Sequence, residues 1–109
     1  MEMDELWERM TQMQGQTLTT SGRGRAGGPG NGMPFTFTVR GRTLQIDRKT
    51  KSLTWATVEL ALRRAGQVQA EEGYVKGPKK LGVFGASYLY PIFAAIGVIR
   101  TVPPAEGTE

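Results

Sequence analysis

Apolar residues at positions 3, 6, 7, 10 and 13 (Met3, Leu6, Trp7, Met10, Met13) recur at intervals of three and four. That spacing places them on one stripe of an amphipathic helix of about three turns. Asp4 is the expected N-cap and Gly15 the expected stop. The Met and Trp stripe is expected to pack on the domain's own sheet. Residues 16–20 have the composition of a short strand. Residues 21–32 hold six glycines, one proline and no large apolar side chain, which predicts a Gly/Arg-rich loop running to about residue 33. Beyond it the period changes to two. Phe35, Phe37 and Val39 alternate with Thr36, Thr38 and Arg40, and then Leu44 and Ile46 alternate with Thr43, Gln45 and Asp47. Two β-rich runs joined at Gly41-Arg42, with glycine at the first central position, predict a hairpin closed by a type II′ turn.

A second helix is expected from about Leu53 and Thr54 to Ala65. Thr54 serves as N-cap, Leu53 and Val58 form a hydrophobic staple, and Trp55, Val58, Leu62 and Ala65 make the inner face. Gly66 is read as its stop, which sets Arg63 and Arg64 in the last turn. Residues 67–85 show little periodicity and read as a basic loop. A third helix starts at Ala86 or Ser87 and runs through Ile96, with Leu89, Ile92, Phe93 and Ile96 on its apolar face. Pro91 must then lie close to the first turn, because it lacks an N–H for the helix interior. Gly97 ends the helix, residues 98–102 form a last strand, and residues 103–109 are a disordered acidic tail. The order of elements defines an α+β fold. A small antiparallel sheet with a central β-hairpin carries an N-terminal helix and two further helices on one face, in a single compact domain over residues 1–102.

Composition narrows the chemistry. The 109 residues include two Trp, four Phe and three Tyr but no Cys and no His. Disulfides, thiolate catalysis and Ser-His-Asp triads are thereby excluded, and a zinc site would need carboxylates alone. No cofactor motif and no metal-ligand spacing is present. The expectation is a protein that is not an enzyme. The acidic amphipathic start lacks a signal-peptide pattern, and the longest apolar stretch, about residues 88–99, falls short of the roughly 20 residues that span a bilayer. A cytoplasmic location with no membrane association is expected.

Charge is distributed unevenly. The net formal charge is +4, but the acids Glu2, Asp4, Glu5 and Glu8 begin the chain and Glu106 and Glu109 end it. Between residues 10 and 104, thirteen Lys and Arg stand against Asp47, Glu59, Glu71 and Glu72. An excess of that size attracts polyanions and speeds their encounter. The candidate contacts fall in three groups: Arg23 and Arg25 on the glycine-rich loop; Arg40, Arg42, Arg48, Lys49 and Lys51 at the two ends of the hairpin; and Lys76, Lys79 and Lys80 around Gly77-Pro78.

Arg23-Gly24-Arg25 resembles the core of an AT-hook, which lays two arginines into a narrow minor groove, although Ala26 stands where that motif has proline. Gly85-Ala86-Ser87 lacks the second glycine and the histidine of a nucleophile elbow, so Ser87 reads as a helix cap. The lysine segment lacks phosphate-loop spacing. Tyr88 and Tyr90 can stack on bases or fill the core. The expected function is non-catalytic binding of DNA or RNA through phosphate contacts. The alternative is a protein-interaction module, an inhibitor or accessory subunit of a nucleic-acid-processing complex. A third reading has Asp47 with Glu59 or Glu71 hold a magnesium ion.

Overall fold

The structure, a computed structural model, describes residues 2–20, 33–47 and 51–102, and of Lys51 the backbone alone. The expected loop at 21–32, the tail at 103–109, and the residues Arg23, Arg25, Arg48 and Lys49 lie outside the described residues. The elements are helix α1 (Met3–Met13), strands β1 (Leu18–Thr19), β2 (Pro34–Phe35), β3 (Phe37–Arg40), β4 (Thr43–Ile46) and β5 (Lys51–Thr54), helix α2 (Trp55–Glu72), a 3-10 turn (Pro78–Leu81) and helix α3 (Ala86–Ile96). The fold is α+β, with two small antiparallel sheets.

The hairpin forms where the period-two pattern places it. Phe37 faces Ile46 and Val39 faces Leu44 across β3 and β4, and β4 continues the register into β5 with Leu44 opposite Leu53. Phe37, Leu44, Ile46 and Leu53 are buried, while Thr38, Arg40, Gln45, Ser52 and Thr54 on the alternate face are exposed. The aromatic run is not one strand. Phe35 pairs with Leu18 in the two-stranded sheet, and the chain changes sheets at Thr36. Asp47 secures that corner: its carboxylate accepts the Thr36 N–H at 2.9 Å and its own N–H donates to the Thr36 carbonyl at 3.1 Å.

Leu53 belongs to β5 rather than to α2, yet the start of α2 is the expected one. The Thr54 hydroxyl accepts the Thr57 N–H at 3.2 Å, and Leu53 and Val58, the staple pair, are both buried. The far end is a correction. Gly66 does not stop α2, which continues to Glu72, so Arg63 and Arg64 occupy its middle. The residues after Gly66 include good helix formers, and nothing stands within 4 Å of a Cβ built there, so glycine weakens the helix without breaking it. The stop is Gly73, left-handed at φ 86°, whose N–H donates to the Gln69 carbonyl at 2.8 Å.

Helix α3 spans the expected residues and ends at Gly97, φ 94°. Ser87 is not its cap: Gly85 occupies that position at φ 81°, and no side chain caps the end. Pro91 is the sixth residue of α3, one turn further in than expected, so it supplies no N–H to the carbonyl four residues back. Asp4 likewise sits inside α1, where Glu2 takes the cap position without a side-chain bond. Residues 98–102 make no strand. They are tied instead by the Val75 N–H to the Arg100 carbonyl at 2.8 Å and by the Arg100 N–H to the Gln69 side-chain oxygen at 2.6 Å. Leu6, Trp7 and Met10 of α1, the inner residues of the sheet, Val58, Ala61 and Ala65 of α2, and Tyr88 through Tyr90, Ile92 and Phe93 of α3 merge in one core. All three helices therefore lie on the apolar side of the sheet, and no described element covers its polar face.

Candidate nucleic-acid interface

The β3–β4 turn is held from behind by two tryptophans. The Trp7 indole N–H, carried by α1, donates to the Gly41 carbonyl at 2.8 Å, and the Trp7 and Trp55 rings lie 4.8 Å apart, inclined at 46°. Arg42 extends this stack, its guanidinium carbon 4.2 Å from the Trp55 ring centroid. Such a contact is worth about 0.5–1 kcal/mol at an exposed site. The Trp55 N–H also donates to the Arg42 carbonyl at 3.0 Å. Arg42 is thus exposed and stacked on Trp55, and its guanidinium N–H groups make no hydrogen bond or ion pair with another described residue. Arg40 ends β3 on the uncovered face, opposite Thr43.

A second basic surface lies further along α2. Lys76, Gly77, Pro78, Lys79, Lys80, Gly82, Val83, Ala86 and Ser87 line an open groove of about 960 Å³, and no carboxylate is among them. Lys80 reaches out to Glu72 at 3.2 Å, an exposed pair that salt screens readily. Lys76 and Lys79 are exposed. Arg64, which projects from the middle of α2, lies over the backbone at Gly82: a Cβ built there would stand 3.2 Å from the guanidinium carbon. Arg64 lies nine positions along the helix from Trp55, which holds Arg42, a rise of about 13.5 Å at 1.5 Å per residue.

The expected contacts therefore divide. Arg40 and Arg42 come together at the hairpin tip, and Lys76, Lys79 and Lys80 come together at the groove. The two sets are separate patches rather than one. Lys51 is the first residue of β5, its backbone opposite Ile46. Arg23, Arg25, Arg48 and Lys49 fall outside the described residues. Arg64 is not among the expected contacts, because a helix stop at Gly66 would make it a terminal dipole partner, whereas in the longer α2 its side chain crosses to Gly82 at the groove. The pairing of Gly82 with Arg64 carries no signal in sequence.

Tyr88 and Tyr90 are core residues. Tyr88 meets the Phe35 ring edge-on at 5.1 Å, and the buried Tyr90 hydroxyl donates to the Val75 carbonyl at 2.7 Å. The magnesium reading finds no cluster to support it. Asp47 is engaged at the sheet corner, Glu59 faces Arg63 at 4.0 Å, and among the described residues no three carboxylates gather to hold a metal ion. No described helix is long and apolar enough to cross a membrane. No protein-family model matches the chain, and no curated protein or solved structure does.

Proposed function

We propose that the chain is a non-catalytic nucleic-acid-binding domain that holds phosphates with the arginines of the hairpin tip and the lysines of the groove. The observation that carries this reading is the make-up of the groove, whose described lining includes three lysines and no carboxylate, with Lys76 and Lys79 exposed and Lys80 paired to Glu72 beside it. The excess of thirteen cations over four acids between residues 10 and 104 gives the long-range attraction that such binding uses. Arg23 and Arg25 of the glycine-rich segment are further candidate contacts on the strength of their sequence.

Fluorescence anisotropy with duplex and single-stranded DNA and RNA, at low and moderate salt, tests this reading. Affinity should fall steeply with salt, each duplex phosphate contact adding about 0.9 to the slope of log K against log salt. Lys76→Ala/Lys79→Ala should flatten the slope by roughly two if both lysines meet phosphates. Arg23→Ala/Arg25→Ala reports the contribution of the glycine-rich segment. Absence of binding to all four probes at low salt would sink the reading and leave an acidic protein surface as the partner.

A further inference from the structure

The outer face of the β3–β4–β5 sheet is covered by no described helix or strand. Its six outward positions are Thr38 and Arg40 on β3, Thr43 and Gln45 on β4, and Ser52 and Thr54 on β5. Five are exposed and Thr43 is half-buried. The Thr54 hydroxyl is committed to capping α2, whereas the side chains of Thr38, Thr43, Gln45 and Ser52 make no hydrogen bond to another described residue. The face thus offers hydrogen-bond donors and acceptors on short side chains that keep the backbone near whatever docks there.

Resting on the nucleic-acid reading, we infer that this face is the surface that enters the major groove of B-form DNA. Three features select that occupant. These six positions are cationic or neutral, with Arg40 at the turn end of the face, while Asp47 continues the outward alternation of β4 at the opposite end. The nearest acid along the strands, Asp47, has its carboxylate turned to the Thr36 N–H. The dimensions bear on the fit: the axes of two neighbouring strands lie about 4.8 Å apart, a ribbon of the kind the major groove admits, and four residues at about 3.4 Å give a length near 14 Å. The major groove is about 12 Å wide and 8.5 Å deep, and sheets are among the elements that proteins place in it.

The third feature separates duplex DNA from the other nucleic acids. Sheet faces that bind single strands stack the bases on aromatic side chains. This face has none, because Trp7, Trp55 and Phe37 all lie behind it. The major groove of an RNA duplex is too narrow and deep for side chains to read. In the DNA groove, Gln45 on the central strand has the donor and acceptor pair that matches the N6 and N7 edge of adenine, and Arg40 matches the O6 and N7 edge of guanine. Arg42, steadied on Trp55, is placed to meet the flanking phosphate.

The experiment uses the full chain and a 20-base-pair duplex pool of random sequence. Parent protein is titrated with the plain duplex, and with one whose cytosines carry glucosylated 5-hydroxymethyl groups, which fill the major groove. It is also titrated with the plain duplex plus netropsin, which fills the minor groove. Thr38→Glu and Ser52→Glu are tested beside Lys76→Ala/Lys79→Ala, with thermal melts to verify folding. Each face variant, and glucosylation, should weaken binding about tenfold or more, the worth of one good base contact, while netropsin should leave it unchanged. Binding that survives glucosylation, or that netropsin abolishes, overturns the assignment even if the face variants fail to fold. Loss confined to the groove variant overturns it too, and leaves the nucleic-acid reading standing. Failure of the parent to bind any nucleic acid defeats both.

Discussion

Gly85→Ala should destabilise this domain more than any other single methyl group added at a described glycine. Gly85 joins the 3-10 turn to α3 in the left-handed region, φ 81°, and a Cβ built there would stand 2.4 Å from Leu53 Cδ2 and 3.1 Å from Cδ1. Carbon atoms in contact sit about 3.5–4.0 Å apart, so more than 1 Å of room is missing. Leu53 has no simple retreat, because it is 1% exposed and faces Leu44, which is fully buried, on the neighbouring strand. The left-handed backbone costs alanine roughly 1–2 kcal/mol, and forcing extra carbon into a filled core costs roughly 1–3 kcal/mol more. The sum, about 2–5 kcal/mol, is a large part of the roughly 5–15 kcal/mol that stabilises a typical domain. Gly97→Ala is the control, since Gly97 has φ 94° but nothing within 4 Å of its built Cβ, so it bears the backbone cost alone. Urea unfolding at 25 °C, followed by tryptophan fluorescence, measures both. Gly85→Ala should lose about 1–3 kcal/mol more than Gly97→Ala at an unchanged m-value. Equal losses for the two would refute the close packing of Gly85 on Leu53.

Gly66→Ala should act in the opposite direction and stabilise by about 0.5–1 kcal/mol, because it removes a glycine from the exposed middle of α2 where nothing obstructs the new methyl. A thermal melt that falls would show that α2 is interrupted there. Tyr90→Phe strips the buried Val75 carbonyl of its 2.7 Å donor and should cost about 1–3 kcal/mol by urea unfolding, whereas a neutral result would mean that water reaches that carbonyl. Thr54→Ala removes the α2 cap and should cost about 1 kcal/mol, with Thr54→Ser retaining most of it; equal loss in both would indicate that the hydroxyl does not cap the helix.

The fold was legible wherever one residue and its near neighbours decide the structure. Period two placed β3 and β4, and Thr54 with Leu53 and Val58 marked the start of α2. It was illegible where a distant partner decides. Gly66 lies within α2 and Gly73 follows its last residue, and only the second turns left-handed. Gly85, a core packing position against Leu53, looks in sequence like one more loop glycine. The split of the aromatic run at Thr36 depends on Leu18, seventeen positions away from its partner Phe35, and on Asp47. Residues 98–102 have strand-like composition but no neighbouring strand to pair with, so Val75 and Gln69 take up the two backbone groups of Arg100. For the candidate site, the cations were evident from charge alone, but their division into a hairpin tip and a groove required the path of α2 between them.

The role of α1 follows from the same division. Its sequence is acidic, and nothing in it suggests a part in binding an anion. Yet the Trp7 indole holds the Gly41 carbonyl from the inner side and packs on Trp55, which in turn carries Arg42. Arg40, Gly41 and Arg42 are consecutive, so the bond to the middle residue anchors the backbone between two exposed arginines. An arginine already held in place loses less side-chain entropy on meeting a phosphate than a free one, for which immobilisation costs about 0.5–1.5 kcal/mol. The acidic charge of α1 falls on its solvent side, with Asp4, Glu5 and Glu8 exposed, while Leu6, Trp7 and Met10 face inward. The helix therefore supports the basic tip through its buried stripe and presents its acids to solvent.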